Sequence, residues 1–267
     1  RGGAEEDFTG GSHVRGGERV KATRGARGLS ICDSMRARGP IGRRADVCEE
    51  VSVLAARGTA HIDLEALREN FATVRGLSPG LSRIAVVKAD AYGHGAVPCA
   101  RTAVESGAGF LGAGVIEEGI ELRENGLNTP VLILGGIFPD EAEDLVHHNL
   151  ATILCTLPLA QTLSKTAEKQ EKMVSIHIKV DTGMNRLGVS PENLPELLDQ
   201  VHNLKNLKVE AVSTHFSSAD DEDHSITQSQ LDRFQTALST LRKEGIPTPF
   251  IHCANTSALF KFPESHF

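Results

Sequence analysis

Seven short apolar runs, separated by amphipathic helical patterns, constrain this chain more than any other feature. The runs fall at 84–88, 109–113, 131–134, 151–155, 175–180, 209–215 and 249–254. Between them, apolar residues recur at steps of three and four, the spacing of one helix face. Leu64, Leu67, Phe71 and Val74 form one such face; Leu194, Leu197, Leu198, Val201 and Leu204 a second; Leu231, Phe234, Leu238 and Leu241 a third. Ser78-Pro79-Gly80 ends the first helix. Ser190 followed by Pro191 reads as an N-cap with proline at the first helical position. Gly126 and Gly245 sit where left-handed C-terminal glycines belong. Strand–helix alternation of this kind predicts a mostly parallel sheet with crossover helices. An open doubly wound sheet and a closed barrel both satisfy it. Seven units, with the chain ending soon after the seventh run, favour an α/β fold of the (β/α)8 TIM type that stops before its eighth strand. On the same ground the chain reads as a fragment. The unpaired edges of such a barrel are expected to invite association and lower its stability.

Residues 1–57 have another texture. They hold ten glycines and a net charge of +3, in a chain of 267 residues whose total is -7. With no sustained apolar period, this stretch reads as a low-complexity, disordered leader. The folded region is placed at 58–267. Its acidic balance argues against nucleic acid as a partner. No apolar run approaches the roughly 20 residues of a membrane helix, and the first 30 residues carry no secretory signal pattern. Five scattered cysteines without a C-x-x-C pair fit reduced thiols in the cytoplasm better than disulfides or a zinc site.

In a parallel barrel the C-terminal ends of all strands meet on one face, where chemistry sits. The first run leads into Lys88-Ala89-Asp90-Ala91-Tyr92-Gly93-His94-Gly95, and the fifth carries Lys179 and leads to Arg186. The sixth ends at His215, and the seventh leads into Asn255-Thr256. Lys88, Arg186, His215 and Asn255 are therefore expected to converge. Lys88 follows a buried-looking apolar run, so desolvation is expected to depress its pKa and suit it to Schiff-base or nucleophilic chemistry. The plainer reading is a lysine snorkelling from a strand end. In an extended segment Lys88 and Tyr92 would share a face. His215 is either a satisfied core histidine or a site group. Asn255-Thr256 either caps a helix or holds a phosphate.

Three other patterns carry less. Gly112-Ala113-Gly114-Val115-Ile116-Glu117 begins like a dinucleotide fingerprint, but a glutamate replaces the third glycine. The acidic run Asp220-Asp221-Glu222-Asp223-His224 reads as a solvated loop rather than a cation site. His147-His148 lacks an i, i+4 partner, so no metal is expected there.

The segment from Val86 to Gly95 resembles the pyridoxal-phosphate attachment motif of the alanine racemase family. Glu117-Glu118-Gly119-Ile120-Glu121-Leu122-Arg123, the run from Lys179 to Gly188, and the run from His252 to Ser257 resemble the same family, in the same order. The resemblance extends from about Thr59 to Phe267. It implies a pyridoxal 5'-phosphate cofactor joined to Lys88, which would also move a proton on one face of alanine. It implies phosphate contacts from Tyr92 and Thr256, His215 against the cofactor ring, and Asn255 supporting the same pocket. Arg186 would meet the substrate carboxylate, and Lys179 matches a position that is carbamylated in many members. The implied partners are alanine and a second subunit, in a homodimer with the active site at the interface. The implied activity is interconversion of L- and D-alanine for peptidoglycan precursors. A serine or broader small-amino-acid racemase, and a non-catalytic cofactor-binding barrel, remain open.

The chain departs from the family at one point. A two-base inversion needs a group on each face, and the family uses a tyrosine from a C-terminal domain across the dimer interface. The only tyrosine here is Tyr92, on the phosphate side. The 267-residue chain alone is therefore expected not to racemise.

Overall fold

The computed structural model describes residues 60–247 and 250–267. The leader at 1–57, residues 58 and 59, and residues 248 and 249 lie outside the described residues. The chain divides into two units, Arg1–Leu64 and Glu65–Phe267. Of the first, only residues 60–64 are described, and they lead into α1.

The second unit alternates strand and helix. Its strands are β1 (Ile84–Val86), β2 (Phe110–Ala113), β3 (Val131–Ile133), β4 (Ala151–Leu154), β5 (Val174–Lys179), β6 (Leu207–Ser213) and β7 (Phe250–His252). Its helices are α1 (Leu64–Leu77), α2 (Lys88–Gly93), α3 (Ala96–Glu105), α4 (Ile116–Glu124), α5 (Ala142–His147), α6 (Leu157–Lys169), α7 (Leu194–His202), α8 (Ser225–Lys243) and α9 (Thr256–Lys261). All seven expected strands form, in one all-parallel sheet whose order is the chain order. Among the described residues β1 and β7 are its edges.

Register and side-chain contacts show that this sheet curls. Ile84 pairs with Phe110, Gly112 with Leu132, Leu132 with Ala151, and Ile153 with His177. Ala211 pairs with Phe250, and Ser213 with His252. Neighbours in register share a face. On that face the Phe110 ring of β2 meets the Phe250 ring of β7 edge-on, with centroids 5.9 Å apart, and the His177 ring of β5 at the same distance. Strands five places apart in the order touch only if the sheet closes round an interior bore.

The two faces are filled differently. The outer face carries Leu111, Ala113, Ile133, Leu154, Ile176, Ile178 and Val212, none of them accessible to solvent. The helices bury Leu163 of α6, Leu194 and Leu198 of α7, and Leu231, Phe234 and Leu238 of α8, with α6 lying against β5 and β6 and α7 against β6. Each such side chain contributes about 1.5–3 kcal/mol, which is why the apolar runs located the strands so well. The bore is apolar on the β1–β4 side, where Leu132, Ala151 and Ile153 pack with Ile84, Leu134 and Leu187. On the β5–β7 side it holds His177, Lys179 and His252.

Gly126 and Gly245 follow α4 and α8 with φ of 78° and 71°, as expected for left-handed C-terminal glycines. The first turn of α7 differs from expectation. The helix starts at Leu194 with Asn193 at its N-cap, and Pro195 rather than Pro191 lies in its first turn. Ser190 instead accepts a turn hydrogen bond from the Asn193 N–H at 3.1 Å. Leu204 falls beyond the helix end, which is His202. No helix among the described residues is long and apolar enough to cross a membrane.

Candidate functional site

Parallel strands in one sheet bring their C-terminal ends to one rim, and the expected site residues lie on that rim. β1 ends at Val86, two residues earlier than the apolar run suggested, and Lys88 opens the turn that follows. This turn is not extended, which corrects the reading of Lys88 and Tyr92 as alternate residues of a strand. Ala89, Asp90, Ala91 and Tyr92 all take left-handed helical angles, with φ of 52°, 54°, 50° and 57°. Each L-residue there costs roughly 1–2 kcal/mol. The turn is held by the Ala91 N–H on the Val87 carbonyl at 2.8 Å, and by the Gly95 N–H on that of Asp90 at 2.9 Å. The Asp90 carboxylate accepts from the Ala96 N–H at 2.7 Å. The reversed hand brings the Lys88 Nζ over the Tyr92 ring, 5.9 Å from its centroid. Lys88 is exposed at the rim, which corrects its expected placement in a buried strand end.

Lys179 is the buried lysine of the site. It is the last residue of β5 and faces the bore. Burial lowers its pKa to about 8, and the nearby Arg186 guanidinium adds to the effect. Arg186 rides on a closed excursion of the chain. The strand leaves at Val180 and returns beside itself, with the Asp181 N–H on the Val189 carbonyl and the Val189 N–H on that of Lys179, both at 2.8 Å. The Asp181 carboxylate accepts from the N–H groups of Gly183 at 2.9 Å and Asn185 at 3.1 Å. Burial works against ionisation of Asp181, but these backbone donors outweigh it and hold the carboxyl below its ordinary range. Gly188 closes the loop: its φ is 146°, and a Cβ there would lie 2.5 Å from the Asp181 nitrogen.

His215 follows β6. Its carbonyl accepts from the Gln230 amide of α8 at 3.1 Å. Gln230 also donates to the Thr182 hydroxyl at 3.4 Å, and Thr182 meets the Thr214 hydroxyl at 2.8 Å. These bonds tie the loops after β5 and β6 to one helix. Burial, then the charges of Lys179, Arg186 and Lys88, push the His215 pKa down to about 4, so its imidazole is neutral at pH 7. Asn255 caps α9, its side-chain oxygen accepting from the Ala258 N–H at 2.9 Å. Thr256 is exposed in the first turn of that helix. Asn255 and Thr256 share the rim with the four basic groups, and among the described residues no hydrogen bond joins them to those groups.

The electrostatics are one-sided. Lys88, Lys179 and Arg186 are near enough to His215 to depress it, yet none of the three forms an ion pair among the described residues. Cys253 beside Lys179 offers no charge, because burial pushes its thiol up to about 12. Such a rim is built to receive an anion with more than one acidic group. The donor set suits pyridoxal 5'-phosphate and a carboxylate substrate: one reachable amine, one buried amine, a guanidinium, a neutral imidazole and exposed hydroxyls.

Sequence reasoning missed three features. Glu118 of α4 bonds to the turn that carries Lys88, accepting from the Ala89 N–H at 2.7 Å and the Gly114 N–H at 2.6 Å. It thereby occupies the strand–helix turn that a dinucleotide phosphate would need. Gln230 is the second. The third is a polar chain lower in the bore. His177 Nδ1 lies 2.9 Å from His252 Nε2, and His177 Nε2 lies 3.4 Å from the Glu210 carboxylate. The register of β5 and β6 slips between Ile176 and His177, and Glu210 is the extra residue that the slip turns toward His177. Alternation gave one usable signal: His177 stands two residues before Lys179 and so shares its face. No group of three or more metal-ligating side chains forms among the described residues.

Residues 62–267 match the family described as "Alanine racemase, N-terminal domain". The chain is 40% identical over 208 residues to an alanine racemase of Carboxydothermus hydrogenoformans, and 41% identical over 210 residues to one of Desulforamulus reducens. Each match covers 78% of this chain and 56% of the relative, so the chain spans about half the length of these proteins. Among solved structures, an alanine racemase of Clostridium difficile 630 in complex with cycloserine superposes with a TM-score of 0.75 at 29% identity. That match covers 77% of this chain and 57% of the other. An alanine racemase from Streptomyces lavendulae superposes with a TM-score of 0.73 at 33% identity, covering 77% and 55%. The matched region contains every part of the rim, and the chain belongs to the alanine racemase family, of which it carries the N-terminal barrel domain.

Proposed function

We propose that this chain is the cofactor-binding barrel of a pyridoxal-phosphate-dependent alanine racemase, an isomerase that interconverts L- and D-alanine for peptidoglycan precursors. The observation that carries the reading is the convergence of Lys88, Lys179 and Arg186 on a neutral His215, with no ion pair among the described residues to answer the three charges. Bound pyridoxal phosphate would act as the electron sink for a carbanion at the α-carbon of alanine. Lys88 supplies the amine that holds the cofactor and moves the proton on one face of that carbon. The Tyr92 and Thr256 hydroxyls bind the phosphate, and Asn255 fixes the backbone that presents Thr256. His215, neutral, lies against the ring without competing for its charge. Arg186 binds the carboxylate of the substrate.

Lys179 is the carbamylation site in this reading. An amine that titrates at about 8 is still mostly protonated at pH 7, but about a tenth of it is neutral there, far more than for an ordinary lysine. It can take up carbon dioxide, forming an N–C bond and releasing one proton. The resulting carboxylate would pair with Arg186 and remove the repulsion between the two cations. The proton acceptor on the opposite face is a separate group, because the single tyrosine, Tyr92, lies on the Lys88 side. We place that acceptor at a homodimer interface over the rim, and the protein in the cytoplasm. Three thiols, Cys99, Cys155 and Cys253, are free, which accords with that compartment.

The decisive experiment is borohydride reduction of the 267-residue chain loaded with pyridoxal phosphate, followed by peptide mapping. A single label on Lys88 is the expected result. A label elsewhere, or none, overturns the proposal. A chiral assay on the same chain is expected to show no racemisation, because one of the two acceptors is lacking.

A further inference from the structure

We infer that Glu118 is the positioning residue for Lys88: its carboxylate bridges the left-handed turn and the loop after β2, and so aims the amine over the rim. The inference rests on Lys88 being the attachment lysine. The Ala89 N–H belongs to the peptide plane that joins Lys88 to Ala89, and fixing that plane fixes the backbone that sets the direction of the Lys88 side chain. The one hydrogen bond of that N–H is to Glu118 Oε1, at 2.7 Å. The other oxygen, Oε2, takes the Gly114 N–H at 2.6 Å. The two anchor points therefore move as one body.

The fit leaves little slack. A Cβ on Gly114 would stand 3.2 Å from Glu118 Oε2 and 3.3 Å from the Lys88 Cβ, so the loop, the carboxylate and the lysine stem are in contact. Four consecutive L-residues in left-handed angles relax toward the right-handed hand unless something outside the turn holds them. Glu118 does so from the third residue of α4, with its charge near the positive end of that helix. Only an ionised carboxylate suits the place. It accepts at both oxygens, whereas an amide would set its own N–H against one of the two donors. Neighbouring Glu117 has the same charge on the same helix but is exposed and serves as the control.

The test compares the wild-type chain with Glu118→Gln, Glu118→Ala and Glu117→Gln. Amide NMR comes first. In wild type the Ala89 and Gly114 N–H shifts should move together as acid protonates the one carboxyl; in Glu118→Gln neither should. Loading with pyridoxal phosphate comes second. At equal, sub-saturating cofactor, both Glu118 variants should label Lys88 about tenfold less, the scale of one charge-assisted hydrogen bond. They should also lose the visible circular dichroism of the oriented cofactor. Far-ultraviolet dichroism should remain native, and Glu117→Gln should match wild type in every readout. Folded Glu118 variants that label and orient the cofactor normally overturn the inference. So does loss of the native fold in both, which would make Glu118 a folding residue. If the wild-type chain labels nowhere, it is the cofactor reading that fails, and the amide titration then decides whether Glu118 holds the turn.

Discussion

The bore of this barrel contains two polar groups of opposite character, one directly above the other. In the lower group every partner is answered. The Glu210 carboxylate, drawn down to about 2 mainly by its bond to His177, also meets Lys208 at 3.1 Å, and His177 meets His252. Being ionised, Glu210 can only accept, so the His177 Nε2–H donates to it. Two residues higher on the same strand, Lys179 faces Arg186 and His215 without an ion pair among the described residues. A buried network that satisfies itself holds structure together. One that leaves like charges facing each other is unstable until something binds. The boundary between scaffold and site thus runs between residues 177 and 179 of β5.

Substitutions should separate the two groups by sign. The largest effect is expected from His177→Ala, which leaves Glu210 and His252 without their shared partner; equilibrium urea unfolding should show a loss of about 3–5 kcal/mol. Lys179→Met should do the reverse at pH 7, gaining up to about 3 kcal/mol in the same assay by removing a buried ammonium. The cost of that gain is a weakened grip on anions. If both variants lose stability, the division between scaffold and site is wrong.

Acid and alkali should separate them as well. Lys179 falls from 10.5 in the unfolded chain to about 8 in the fold. Below pH 8 both states hold the proton, and the fold bears the buried charge. Between pH 8 and 10.5 only the unfolded chain still holds it, so stability should rise with pH by about 3 kcal/mol, and Lys179→Met should abolish the rise. His252 falls from 6.5 to about 3, through burial and then the charges of His177 and Lys179. Acidification from pH 6.5 toward 3 protonates the unfolded chain first, so stability should drop across that window. Urea midpoints across pH check both windows.

Smaller effects sharpen the rim itself. Asp181→Ala removes the acceptor for two backbone N–H groups and should cost about 1–2 kcal/mol, with weaker binding of a carboxylate measured by calorimetry. Thr256→Ser keeps the hydroxyl and should change cofactor affinity by less than about twofold.

Much of this architecture was legible because burial on both faces writes strands as apolar runs, and parallel pairing then forces their ends together. Lys88, Arg186, His215 and Asn255 could be named from that topology, whereas Lys179 stands out only as a lysine in an apolar strand and by the family resemblance. The left-handed turn could not, since Ala89, Asp90, Ala91 and Tyr92 carry no local mark of a reversed hand; Gly93 and Gly95 only bracket it. The same blind spot misplaced Lys88 in a buried strand. Glu118 acts 29 residues from its partner Ala89, and no periodicity reports such a bond. The Glu210 bulge depends on register between two strands, which neither strand states by itself. At α7 a proline turn imitated a helix start, because Ser-Pro serves both.

Each strand of this sheet pairs only with its immediate neighbours in chain order. During synthesis no strand has to wait for a distant partner, so the sheet can be laid down as the polypeptide leaves the ribosome, one crossover at a time. Contacts across the bore are the exception, and of those described the meeting of Phe110 with Phe250, 140 residues downstream, spans the most chain. That ring contact closes the longest loop and should form last, which makes it the natural reporter for completion of folding.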